Sequence, residues 1–199
     1  MPRLLVLPYV GLALAVLAGC AASSPPVQLH RLSAALPAGT AVAAPAASAT
    51  ALNWQLMQPV AVPAYLDRDT VLLPQGQSGL VALAGHRWAE SLRDSVPRVL
   101  RQDLSTLLGE SRVWAAPVPA GVVISRQLRV ELVALEAAPD RSAVLLRARW
   151  SLADPAGTAA ARADAVALLI PSTGTDVDSL VAAHRLALWR LAERIAAPP

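Results

Sequence analysis

Apolar and polar positions alternate most cleanly in the C-terminal half of the chain, and there they predict three consecutive strands. Leu128, Val130 and Leu132 alternate with Gln127, Arg129 and Glu131. Val144, Leu146, Ala148, Trp150 and Leu152 alternate with Leu145, Arg147, Arg149 and Ser151, and Val166, Leu168 and Ile170 share one side of Ala163–Ile170. Side chains of a strand point to opposite faces in turn, so each segment has one face suited to a core. Pro139-Asp140 and Asp154-Pro155-Ala156-Gly157 separate the three segments with residues that favour turns. Connections this short imply an antiparallel meander with one buried face.

Elsewhere the apolar spacing changes to three and four, the period of a helix. From Trp88 to Leu108, Leu92, Val96, Val99, Leu100, Leu104, Leu107 and Leu108 form a stripe broken by one charge, Asp103. Gly109 is a natural stop. Pro97 cannot bond back to the Arg93 carbonyl, which predicts a kink or a division there. A second helix is predicted from Asp176 to Ile195, with Thr175 as its cap. Its stripe is Val177, Leu180, Val181, His184, Leu188, Leu191 and Ile195.

The N-terminal half is less regular. Val27–Leu32 reads as a first strand, and Ser33–Ala51, rich in Ala and Pro, as a flexible loop. Trp54–Leu66 has strand character, with Trp54, Leu56, Val60 and Val62 on one side. Pro59 and Pro63 cannot donate to a ladder, so this strand is expected at an edge or interrupted. Thr70–Leu73 and Leu80–Ala84 flank a turn at Pro74–Gly79. Together these elements predict an α+β fold of two layers: an antiparallel β-sheet meander packed against two amphipathic helices. The helices should cover one sheet face and leave Arg129, Arg147 and Arg149 on the other.

One apolar stretch fits neither pattern. Arg3 precedes an uncharged run from Leu4 to Ala18, which ends in Leu17-Ala18-Gly19-Cys20. The run is shorter than the roughly 20 apolar residues that span a bilayer, contains Pro8, and has the layout of a secretory signal peptide. Its end resembles a bacterial lipobox, whose cysteine receives a diacylglycerol and becomes the first residue after cleavage. That resemblance divides the chain into a signal peptide (1–19), a lipidated tether (20–26) and a single α+β domain (27–199), with Cys20 the lipidation site. Several acyl chains suffice for stable anchoring. Ala21 follows the cysteine where inner-membrane retention would usually require Asp, which favours the periplasmic face of the outer membrane.

Composition narrows the choice of partners. The chain has 199 residues, one Cys and a formal net charge of +3. A single cysteine consumed by lipid leaves no disulfide within the chain. The Arg residues are spread out among acids, so the basic balance gives no patch suited to nucleic acid. No GxSxG, glycine-rich phosphate loop or metal-ligand spacing occurs, so neither catalysis nor a cofactor is predicted. Of the three histidines, His184 falls on an apolar stripe and reads as a satisfied core residue, while His86, ahead of the first helix, reads as exposed or capping.

Two segments carry a family resemblance. The first is Val60-Ala61-Val62-Pro63-Ala64-Tyr65-Leu66-Asp67-Arg68; the second is Arg87-Trp88-Ala89-Glu90-Ser91-Leu92, whose helix ends Asp103-Leu104-Ser105-Thr106-Leu107-Leu108. With the lipobox ahead and the meander and helix behind, the chain resembles the PqiC/YmbA family, auxiliary lipoproteins of ABC-type or MCE-type lipid transport systems. The resemblance implies a docking module at the outer membrane. Its partners would be an MCE-domain protein that spans the periplasm and an integral membrane transporter subunit. A homo-oligomeric ring is compatible with that role. An envelope lipoprotein that assists assembly of another outer-membrane machine, or binds peptidoglycan, is the alternative.

Candidate docking residues follow from exposure and chemistry. Tyr65, Leu66 and Arg68 lie on a turn, where they either anchor a partner or close over the sheet edge with Arg68 paired to Glu90. Trp88 reads as a core plug or an anchor, and Glu90 as a helix N-terminal acid or a partner contact. Arg147 and Arg149 project from one strand face, towards solvent, a lipid headgroup or a neighbouring subunit.

Overall fold

Among the described residues, eight strands and two α-helices follow one another. They are β1 (Gln28–His30), β2 (Trp54–Leu56), β3 (Thr70–Gln75), β4 (Gly79–Trp88), α1 (Leu92–Leu108), β5 (Val113–Trp114), β6 (Arg126–Ala137), β7 (Ala143–Ala153), β8 (Arg162–Pro171) and α2 (Val177–Ala196). The structure, a computed structural model, describes residues 26–40, 52–158 and 160–198. The signal peptide, Cys20, nearly all of the tether and residues 41–51 of the Ala/Pro-rich loop lie outside the described residues.

The meander forms as the alternation requires. β6, β7 and β8 are antiparallel neighbours in a five-stranded sheet of order β5-β2-β6-β7-β8. Leu128, Val130 and Leu132 are buried with Val144, Leu146, Ala148 and Trp150, while Arg129, Glu131, Arg147 and Arg149 are exposed. β6 runs five residues beyond the expected Leu132 because a bulge intervenes: the register slips between Leu132 and Ala134. Val133 is the additional residue, and beyond it the buried parity changes to Leu135 and Ala137.

The sheets are mixed rather than purely antiparallel, and there are two of them. β2 pairs in parallel with both β5 and β6. A second, three-stranded sheet has the order β1-β4-β3, with β1 parallel to β4 and β3 antiparallel to it. Parallel neighbours need long connections, and here the route from β2 to β6 passes through the second sheet and α1. The strand expected over Trp54–Leu66 stops at Leu56. Val60 is buried, but beyond it only Ala61 bridges to Glu131, before a turn of 3-10 helix at Ala64–Leu66. The two prolines that interrupt this segment have no N–H to donate.

The β3–β4 hairpin is longer than the turn signal suggested. Pro74 pairs with Leu80 and Gln75 with Gly79, leaving Gly76-Gln77-Ser78 as the tip. Gly76 has φ +64, a left-handed conformation that glycine adopts without a Cβ clash. β4 also absorbs the residues expected to open the first helix. His86 pairs with Gln28 and Trp88 with His30, so both belong to the strand.

α1 therefore starts at Leu92, capped by Ser91, whose hydroxyl oxygen accepts the Asp94 N–H at 3.2 Å. It runs through Pro97 without division. Gly109 ends it at φ +115, where a Cβ would lie 3.2 Å from Arg112 Cγ. The cap of α2 is Asp176 rather than Thr175; its carboxylate accepts the Ser179 N–H at 2.8 Å. A carboxylate exceeds a threonine hydroxyl here because it also meets the positive end of the helix. Both helices pack their apolar stripes into one core with the five-stranded sheet, through Val96, Leu100 and Leu104 of α1 and Leu180, Leu188 and Leu191 of α2. Each such fully buried side chain contributes about 1.5–3 kcal/mol.

Candidate docking surface

The face of β6–β8 turned away from the helices carries exposed cations at Arg129, Arg147 and Arg149. Among the described residues none of the three has a carboxylate within ion-pair distance. Glu131 sits directly across from Arg149 in the ladder without closing a pair. A cleft of about 660 Å³ opens here, walled by Met57, Pro59 and Ala61 and floored by Arg129, Glu131 and Arg149. Its wall is the Gln58–Val60 excursion, which leaves β6 between two backbone contacts, Met57 N–H to the Leu128 carbonyl and Ala61 N–H to the Val130 carbonyl.

The turn that carries Tyr65 lies against the same sheet. The Tyr65 hydroxyl donates to Glu136 Oε1 at 2.5 Å. Burial, then the hydrogen bond to Glu136 and its charge, push the phenol well above its ordinary value of 10.0, and Arg147 acts in the opposite direction. Leu66 is buried in the core cluster, so its side chain closes the turn over the sheet. Arg68 is exposed and, among the described residues, unpaired. Its neighbours are engaged: Asp67 pairs with Arg93 at 2.7 Å and Asp69 with Arg87. Glu90 does not pair with Arg68; it is held by Arg98.

Trp88 is buried at the end of β4, edge-on to the His184 ring with centroids 5.6 Å apart. His184 is itself buried, its Nδ1 donating to the Leu180 carbonyl at 2.8 Å. The structure thus brings Tyr65 onto Glu136, within electrostatic reach of Arg147. Arg129 and Arg149 gather in the cleft, and Trp88, Leu66 and Glu90 become parts of the framework.

Two contacts escaped sequence reasoning. His30 and His86 are stacked, with His30 Nε2 2.9 Å from His86 Nδ1, so His86 is neither free nor a cap. His30 Nδ1 also lies 3.3 Å from Asp178. Parallel pairing of β1 with β4 creates this contact across a long sequence separation, and no local spacing announces it. The other is the partner of Asp103, Arg185, which interrupts the α2 stripe as Asp103 interrupts that of α1. Matching the two exceptions would have found it.

This architecture defines a class: an α+β domain of mixed sheets with a charged, cleft-bearing sheet face opposite its helices. Among the described residues no helix is long and apolar enough to cross a membrane. The sequence profile of the ABC-type transport auxiliary lipoprotein component matches residues 31–196, and the chain belongs to that family. It is accordingly a lipoprotein component of a transport system. The fold is similar to that of an uncharacterised protein of known crystal structure, at TM-score 0.66 and 19% identity over 86% of this chain and 97% of the other. It is also similar to protein XCC0632 from Xanthomonas campestris, at TM-score 0.57 and 15% identity over 85% and 93%. A search of curated proteins finds no match.

Proposed function

We propose that this chain is a docking component of an MCE-linked, ABC-type lipid transport system, held by acylated Cys20 on the periplasmic face of the outer membrane. Membership of the auxiliary lipoprotein family carries this reading. In it the domain performs no turnover. It positions an MCE-domain protein that spans the periplasm, and through it the integral membrane subunit, beside the membrane. Arg68 and Arg147 are the anchors, with Tyr65 beside Arg147. Support comes from their chemistry: exposed, unpaired guanidinium groups suit hydrogen bonding to a partner's carboxylates.

Affinity capture of the intact lipoprotein from gently solubilised membranes tests the reading. Capture of an MCE-domain protein is expected, and Arg68→Glu with Arg147→Glu should lose it while the domain stays folded. Recovery of cell-wall material or an outer-membrane barrel instead, indifferent to both substitutions, would sink it.

A further inference from the structure

We propose that the tip of the β3–β4 hairpin rests on the lipid surface that holds Cys20, and so fixes the height and tilt of the domain. The inference depends on acylation of Cys20 as proposed above. It concerns a different part of the molecule from the partner anchors.

Direction comes from the strand pairing. β1 is the first strand after the tether and runs parallel to β4, with Gln28 opposite His86 and His30 opposite Trp88. Backwards from Gln28, the chain therefore heads the same way as β4 traced backwards from His86, towards Gly79 and the tip. Pro26 confirms this heading: its carbonyl oxygen lies beside Gly85, 3.9 Å from the place a Cβ would take there.

Length then limits where the membrane can be. Residues 21–26, fully extended at about 3.3–3.6 Å each, reach no more than about 20 Å. From Gly85 back to Gly79, β4 covers a similar distance, about 20 Å at ~3.4 Å per residue. An acylated Cys20 that leaves Pro26 in this direction ends about level with Gly76–Ser78.

The chemistry of the hairpin suits that position. No charged residue occurs from Val71 to Gly85. Leu80 and Val81 are 45% and 42% exposed although large and apolar, and Val27, just ahead of the adjoining strand β1, is 53% exposed. Charge returns only at the base, with Asp67, Arg68, Asp69 and Arg87. An uncharged, partly apolar tip above a charged base is what burial at a headgroup boundary requires. The occupant is the lipid surface because the tether on the neighbouring strand leads there.

Cys20 is the chain's only cysteine, and acylation consumes its thiol, so Gln77→Cys gives one labelling site in the full lipoprotein. The protein would carry an environment-sensitive fluorophore at that site in vesicles of phosphatidylethanolamine and phosphatidylglycerol. The expected result is a blue-shifted label, quenched by doxyl lipids and protected from aqueous iodide. Leu80→Asp with Val81→Asp should lose the lipid quenching while circular dichroism stays unchanged. A label quenched by iodide and not by doxyl lipid, on protein shown by mass spectrometry to be acylated, overturns the proposal and leaves partner capture untouched. Protein found unacylated overturns this inference and the anchoring reading together.

Discussion

Asp103 of α1 and Arg185 of α2 form a two-pronged ion pair inside the helix interface, with Nη1 2.8 Å from Oδ2 and Nη2 2.5 Å from Oδ1. Their side chains are 0% and 5% exposed. The Nε N–H donates to the Ser33 carbonyl at 2.7 Å, so one side chain ties α1, α2 and the segment after β1 together. Removing one partner leaves an uncompensated buried charge. Asp103→Ala should therefore cost about 3–5 kcal/mol, while the double change Asp103→Leu/Arg185→Met should recover most of it. Urea unfolding of the three proteins at neutral pH measures this; a single variant as stable as the double would contradict it.

The same carboxyl has a pH signature. Burial raises Asp103 from its ordinary 3.8 to about 6, against the opposing pull of Arg185. Between those values the folded state holds the proton more tightly than the unfolded one, so this group's contribution to stability falls as pH rises from about 4 to about 6 and is flat above. Asp176, held below its ordinary value by Ser179, slopes the other way in acid. The quantity to measure is therefore the difference between wild type and Asp103→Asn across that range. Wild type should lose ground to the variant as pH rises, and a difference independent of pH would contradict the assignment.

How much of this could be read from the sequence depends on how local each cause is. The meander and both helices were legible because their apolar periods are set by neighbours a few residues away. The β6 bulge hid the end of its strand, because Val133 breaks the alternation that identifies strands. The N-terminal half resisted for a different reason: β1 and β2 find parallel partners far along the chain, and no turn marks them. Among the candidate docking residues, Arg147 and Arg149 were placed correctly on the outer face by parity alone. The fate of Glu90 depended on Arg98, one of several cations within reach, and sequence could not choose among them.

Tyr65 offers a spectroscopic test. The chain has two tyrosines, and Tyr9 belongs to the predicted signal peptide. With that segment removed, Tyr65 would be the only phenol, and its burial and its hydrogen bond to Glu136 oppose ionisation. Absorbance at the phenolate band should stay flat through the range near pH 10 where a free tyrosine titrates, and rise only with alkaline unfolding. Tyr65→Phe should cost about 1 kcal/mol, the net value of one hydrogen bond. Normal titration on a folded protein would show that the turn opens readily.

His184 makes its own contribution to the acid side of the stability profile. It is buried between Leu180 and Trp88, and desolvation lowers it below its ordinary 6.5. Below that ordinary value the unfolded chain binds a proton that the folded one refuses, so stability is fully present above about 6.5 and declines as pH falls towards the depressed folded value. A neutral, similarly sized apolar replacement removes this dependence but also the bond to the Leu180 carbonyl. His184→Leu should thus be less stable than wild type at pH 8, with the gap closing as pH falls from 7 to 5. Thermal or urea midpoints of both proteins across that range settle the matter: parallel curves would mean that His184 is protonated inside the fold, with an acceptor beyond Leu180.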